Sequence, residues 1–143
     1  MSKLIDAPAE FVPIQSIAYA EGDGTATNVG LARPLPVAAT LVASNAAPLF
    51  GAISASAVLG PFAPQLGRPL WATLSGSWSG SVQLLRSTDG GATKLPLTYG
   101  DGTVKAVWAG NANAAVTEET VATATYWLAA TIATGTLNYR LEQ

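Results

Sequence analysis

Apolar and polar residues alternate with a period of two through most of the second half of the chain. From Arg68 to Thr98 it reads RPLWATLSGSWSGSVQLLRSTDGGATKLPLT. Leu70, Ala72 and Leu74 alternate with Trp71, Thr73 and Ser75, and Val82, Leu84 and Arg86 alternate with Gln83, Leu85 and Ser87. That is the pattern of half-buried strands. Between the two runs, Gly76-Ser77-Trp78-Ser79-Gly80 reads as a turn, and Asp89-Gly90-Gly91 as a second reversal, because glycine takes positive φ at little steric cost. Lys94 to Tyr99 is the expected return strand, with Pro96 marking an edge or a bulge. The element is a β-meander.

The pattern extends to either side. Phe50 to Leu59 is a strand with small residues on both faces, followed by a break over Gly60-Pro61-Phe62-Ala63-Pro64. Gly100-Asp101-Gly102 turns into a strand over Val104 to Ala109, and Gly110 to Asn113 forms a loop. Glu118 to Ile132 reads as one long strand, with Tyr126, Leu128, Ala130 and Ile132 on one side. Its competitor is a helix over Ala114 to Ile132, since Ala, Glu and Leu favour helix; the density of β-branched residues and the flanking glycines argue for strand. Thr134-Gly135 is a tight turn, and Leu137, Tyr139 and Leu141 close the chain as a last strand. Turn signals recur about every 8–12 residues, the spacing of an all-β sandwich or barrel. The expected fold is an all-β antiparallel β-sandwich of about seven or eight strands.

Residues 1–48 differ. Pro8, Pro13, Pro34, Pro36 and Pro48 punctuate the segment and deny the backbone donors. Phe11, Val12, Ile14, Ile17 and Tyr19 form a short strand kinked at Pro13, Glu21 to Gly24 a turn, and the stretch through Leu35 and Val37 extended chain. This organisation predicts an extended N-terminal arm over residues 1–48 and a β-sandwich domain over 49–143, the alternative being that the arm is a pair of ordinary edge strands.

Composition sharpens the picture. Of 143 residues, 49% are hydrophobic and only 11% charged, against roughly 25% charged in ordinary soluble domains. A chain so short of charge is expected to face other protein over much of its surface. The net charge of −2 argues against a nucleic-acid partner, which needs clustered Lys and Arg. Cysteine and histidine are both absent, which removes disulfides, Ser-His-Asp and Cys-His systems, His-Cys zinc sites and the commonest general base. The opening MSKLIDAPAE has no basic stretch leading into a long apolar core, and no apolar run reaches the roughly 18 residues that span a bilayer. No export and no membrane are expected.

Candidate chemistry is thin. Glu118 and Glu119 are adjacent, so on a strand they point to opposite faces and cannot act together on one bond; they read as a solvated strand start. Asp23, Asp89 and Asp101 each precede a glycine, and none has the regular oxygen-ligand spacing of a calcium loop. Gly76 to Gly80 has Trp where a nucleophile elbow needs Ser, and no Lys follows a glycine run at phosphate-loop spacing. No catalytic, cofactor or metal residue is expected. The aromatics Trp71, Trp78, Trp108, Trp127, Tyr99, Tyr126 and Tyr139 fall on or beside strands and read as core. The alternative is a stacking platform for sugar rings of a host glycan, with Asn111 and Asn113 beside Trp108. Trp78, at a turn tip, is the aromatic expected to be most exposed and to mark a contact surface.

One further feature lies in the run RPLWATLSGSWSGSVQLLRSTDGGATKLPLTYGDG and the terminal GTLNYRLEQ. Together they resemble small structural proteins encoded in tailed-bacteriophage and prophage morphogenesis regions. In that group a G-R-P run leads into L-S-G-x-W-x-G-x-V-x-L-x-R-S-x-D-G-G, here Gly67 through Gly91, and a closing G-x-x-x-Y-R-L strand follows, here Gly135 through Leu141. The likeness covers the C-terminal 80 residues or so; the arm matches only through Arg33-Pro34-Leu35-Pro36-Val37. Many relatives place an aromatic after the DGGAT turn where this chain has Lys94. The resemblance implies a non-enzymatic virion protein, assembled in the host cytoplasm. On this reading it is a capsid decoration or cement protein that binds the major capsid protein as a symmetric homo-oligomer. A tail, neck or spike-base component is the alternative place in the virion. The arm would then lie across a neighbour and add a strand to a free sheet edge. Phe11, Val12, Ile14, Ile17, Tyr19, Leu35, Val37, Trp78 and Trp108 are the expected interaction residues.

Overall fold

The computed structural model describes residues 17–20, 22–35, 37 and 42–143. The chain divides into two compact units, Met1–Val42 and Ala43–Gln143. All regular structure among the described residues is strand, and every pairing is antiparallel. The helix considered for residues 114–132 does not form.

In the first unit β1 (Ala18–Ala20) pairs with β2 (Ala26–Asn28) in a two-stranded sheet of its own. Asp23 closes the turn by accepting from the Thr25 backbone N–H and hydroxyl at 2.9 and 2.7 Å. Thr27, opposite Tyr19, is the buried residue of this hairpin among those described. Residues 1–16 of the expected arm, including Phe11, Val12 and Ile14, lie outside the described residues.

The second unit is built on two very long strands. β5 (Pro69–Ser87, 19 residues) and β9 (Thr125–Glu142, 18 residues) pair from Trp71 opposite Glu142 to Ser87 opposite Thr125. Shorter strands flank this ribbon. β3 (Leu49–Ile53) pairs with the second half of β9, and β4 (Ala57–Phe62) with its first half. β8 (Ala112–Glu118) pairs with the first half of β5; β6 (Leu95–Pro96) and β7 (Val107–Trp108) pair with its second half. The result is a seven-stranded sheet.

Two turns expected from the sequence are not turns. Gly76 to Gly80 and Thr134-Gly135 both lie inside continuous strands, and they lie opposite one another, Trp78 facing Gly135. The ribbon bends there instead of reversing. Gly76, Gly80 and Gly135 hold positive φ values of 114°, 137° and 86°. The register shifts between Ser79 and Gly80, so the bend is a glycine-supported bulge, which tightens twist and redirects a strand. A Cβ at Gly80 would run into the Thr131 carbonyl, and one at Gly135 into the Ser77 carbonyl.

The bend decides where the core sits. Leu70, Ala72, Leu74, Leu137 and Leu141 come from one half of the ribbon; Val82, Leu84, Tyr126, Leu128 and Ala130 come from the other. With Phe62 of β4 they form a single buried cluster. Each fully buried Leu stabilises the fold by about 1.5–3 kcal/mol relative to exposure, so joining the halves in one core is the main source of stability.

Other expectations are corrected in detail. The long strand over 118–132 is two strands, because the chain turns between Glu119 and Ala124 before β9 begins. The return strand over 94–99 shrinks to Leu95–Pro96, an edge pairing as Pro96 requires. The strand over 104–109 shrinks to Val107–Trp108, since Ala106 takes a left-handed φ of 60°. The break at Gly60 to Pro64 starts later: β4 runs to Phe62 through a register shift and a cis Gly60-Pro61 peptide bond.

Candidate functional site

A groove of about 530 Å³ is lined by Leu95, Leu97, Thr117 and Thr120 together with Arg86, Glu119 and Tyr126. Its floor is a salt bridge that the alternation pattern itself requires. Arg86 and Tyr126 sit two residues beyond Leu84 and before Leu128, so both side chains point to the buried side. Arg86 finds its partner in Glu119, which follows β8. The guanidinium donates to both carboxylate oxygens, Nε to Oε2 at 2.7 Å and Nη2 to Oε1 at 2.9 Å. Tyr126 Oη donates to Oε2 at 2.8 Å, and the Thr120 and Val121 N–H groups donate to Oε1 at 2.9 and 2.8 Å. Glu119 is therefore buried, contrary to the solvated strand start expected of the acid pair; Glu118 alone is exposed.

These contacts set the electrostatics. The Arg86 hydrogen bonds hold the Glu119 carboxyl down at about 2, against the opposing effect of burial, with help from the two backbone N–H groups and Tyr126. Glu119 in turn raises the Arg86 pKa. Burial, then the bond to Glu119, pushes the Tyr126 hydroxyl up. A carboxylate that accepts five hydrogen bonds has no lone pair left to take a proton from a substrate near neutral pH. The groove's charged floor is a fastener between strands.

Asp89 and Asp101 are held by their own turns. Asp89 is held at about 2, chiefly by the Thr93 N–H, which it accepts at 2.9 and 3.0 Å, and then by the Ser87 hydroxyl at 2.7 Å. Asp101 accepts from the Thr103 N–H at 2.8 Å. Each closes its own turn, as the Asp-Gly spacing predicts. No group of three metal-ligating side chains occurs among the described residues.

The expected interaction residues divide between the two units, with Phe11, Val12 and Ile14 outside the described residues. Ile17, Leu35 and Val37 are exposed and Tyr19 is half-buried in the first unit. Trp78 is at the ribbon bend, not a turn tip. It is half-buried against the core, and its Nε1 donates to Asn111 Oδ1 at 2.9 Å. Trp108 also packs on the core. Lys94 sits over the Trp127 ring, 4.3 Å from its centroid.

The exposed aromatics among the described residues are others: Phe50 (64%), Tyr99 (60%) and Trp71 (40%). Register places Phe50 beside Arg140, Arg140 beside Thr73, and Thr73 beside Asn113, with Trp71 next to Glu142. These residues share the outward face of β3, β9, β5 and β8. There Arg140 Nε bonds Glu142 Oε2 at 2.5 Å and its guanidinium lies 5.7 Å from the Phe50 ring centre. The alternation did carry this signal, since Trp71 falls out of phase with Leu70 and Ala72.

Comparison with protein-family models, with curated proteins and with solved structures finds no match.

Proposed function

We propose that the chain is a non-enzymatic structural protein of a tailed-phage virion. On this reading it is a capsid decoration or cement protein binding the outer head surface as a symmetric oligomer. The bent ribbon makes its second unit a small β-sandwich, each half of β5 and β9 contributing the centre of one layer.

One observation carries the proposal. Large apolar side chains stand in solvent on both units, from Ile17, Leu31 and Val37 to Phe50, Val58, Leu95 and Val107, on a chain only 11% charged. We take these side chains as the docking surface that a lattice of repeated copies would cover. The engagement of Glu119, Asp89 and Asp101 in their own local structure and the resemblance of Gly67–Gly91 and Gly135–Leu141 to phage structural proteins support the same reading.

The test is to tag the C-terminus and image particles made by the encoding genome. Decoration predicts head-wide signal at roughly hundreds of copies per particle. Signal confined to one vertex or the tail would move the protein to the tail, neck or spike base, and its absence from particles would sink the virion role. The outward face bearing Trp71, Glu142 and Arg140 favours a second reading, a host glycan stacked on the indole and held by the ionic pair. A glycan array probed with the protein and with Trp71→Ala decides it: no hits, or hits that survive the substitution, remove that site.

A further inference from the structure

The sheet of the second unit ends in five strands that pair on one side only among the described residues: β3, β4, β6, β7 and β8. Unpaired edges are templates for another chain, and proteins blunt them with bulges, proline, charge or brevity. Four of the five are blunted here. β4 carries Pro61 and a register shift. β6 has two residues, one of them Pro96, and β7 has two residues. β8 has a register shift near Val116 and ends in Glu118.

Within its five residues β3 carries no proline, charge or bulge, Pro48 lying just before it. Leu49-Phe50-Gly51-Ala52-Ile53 is uncharged, contains no proline and runs in unbroken register against β9. Its pattern is also complementary to itself. Run antiparallel to a second copy about Gly51, Leu49 faces Ile53, Phe50 faces Ala52, and Gly51 faces Gly51. The large Phe50 ring thus meets the small Ala52 methyl, on the exposed face, and the core-side row remains apolar. No like charges meet, and no residue is left without a neighbour of matching character.

We propose that β3 is the contact through which two copies of this chain associate, by antiparallel β3–β3 pairing around a two-fold axis. The seam joins the two copies' β3–β9–β5–β8 layers into one continuous sheet. Backbone hydrogen bonds across the seam provide affinity and the Phe50–Ala52 alternation fixes the register. An isologous contact of this kind is closed, so it yields dimers rather than fibres. The inference deepens the assembly reading by naming one of its contacts.

The experiment uses the full chain. Sedimentation over a concentration series gives a monomer–dimer equilibrium for the native protein. Ala52→Lys places a charge on the seam beside the partner's Phe50 and weakens that equilibrium about tenfold or more, whereas Ala115→Lys on the β8 edge leaves it unchanged. Circular dichroism confirms that both variants stay folded. The native chain has no cysteine, so register is read directly. A mixture of Phe50→Cys and Ala52→Cys chains oxidises to the mixed disulfide in preference to either homodimer. A native protein that is monomeric at every concentration overturns the proposal, as does an oligomer indifferent to Ala52→Lys, or a disulfide pattern of another register. A monomer in solution that still decorates particles removes the β3 contact and leaves the assembly role standing.

Discussion

Replacing Glu119 with Gln tests how the two halves of the second unit are fastened at the groove. Gln has the same shape, so packing is kept while the charge and one acceptor are lost. Whichever way the amide is turned, its NH₂ meets donors. In one orientation it faces Arg86 Nε and Tyr126 Oη; in the other it faces Arg86 Nη2 and the N–H groups of Thr120 and Val121. Arg86 is left without its counter-ion. Removing one partner of a buried pair costs about 3–5 kcal/mol, and Arg86 is partly solvated, so the lower end applies, about 3 kcal/mol.

The carboxyl's own proton affinity gives a second route to the magnitude. Its pKa falls from an ordinary 4.5 to about 2 in the fold, which corresponds to about 3 kcal/mol at roughly 1.4 kcal/mol per tenfold change. The folded value lies below the unfolded one. The stabilisation is therefore complete above about pH 4.5 and is lost as pH falls towards 2. Urea titrations at a series of pH values measure it. Native protein loses about 3 kcal/mol across that window beyond what Glu119→Gln loses, and at pH 7 the variant unfolds roughly 10–20 °C lower in a thermal scan. Glu118→Gln, next door but exposed, stays within about 0.5 kcal/mol of native. If Glu119→Gln is within 1 kcal/mol of native at pH 7, or both proteins weaken equally below pH 4.5, the fastener account is wrong.

Two further substitutions probe the bend. Gly135→Ala puts a Cβ against the Ser77 carbonyl at a φ of 86° and costs about 2–4 kcal/mol, whereas Gly102→Ala, at a similar φ of 83° but in open space, costs only about 1 kcal/mol; equal costs in chemical denaturation would refute the ribbon contact. Asn111→Ala removes the acceptor of Trp78 Nε1 and a donor to the Gly76 carbonyl, at 2.9 and 3.1 Å. It lowers stability by about 1–2 kcal/mol and speeds solvent exchange of the Trp78 indole N–H in an NMR experiment.

The strand phases were legible because burial enforces them: Leu70, Ala72, Leu74, Val82, Leu84, Leu128 and Leu137 all face the core as the alternation predicts. The two glycine signals were misread because reversal and bending make the same local demand, a positive φ without a Cβ. What separates them is the partner. A hairpin would pair 70–74 with 82–86; the fold pairs both with β9, more than fifty residues away in places, and no local pattern names that partner. The fastener was half legible. Arg86 and Tyr126 occupy apolar-phase positions, so each needed a polar partner, but adjacency of Glu118 and Glu119 hid which acid it was. Trp78 was misplaced for the same reason as the turn around it, and the outward phase of Trp71 pointed to the exposed aromatic.

How the chain uses its few charges bears directly on its surface. Glu119 and Arg86 satisfy one another, Asp23, Asp89 and Asp101 close their own turns, Arg140 pairs with Glu142, and Lys94 and Lys105 lie over the rings of Trp127 and Tyr99. These groups are engaged in local structure, while Asp23, Asp89 and Asp101 among them remain exposed, as does Glu118. Among the described residues, four of the five sheet edges carry a device against pairing, as the edges of monomers and assemblies alike do. What sets β3 apart is the lack of such a device within it, so the Ala52→Lys and disulfide experiments bear on that edge and no other.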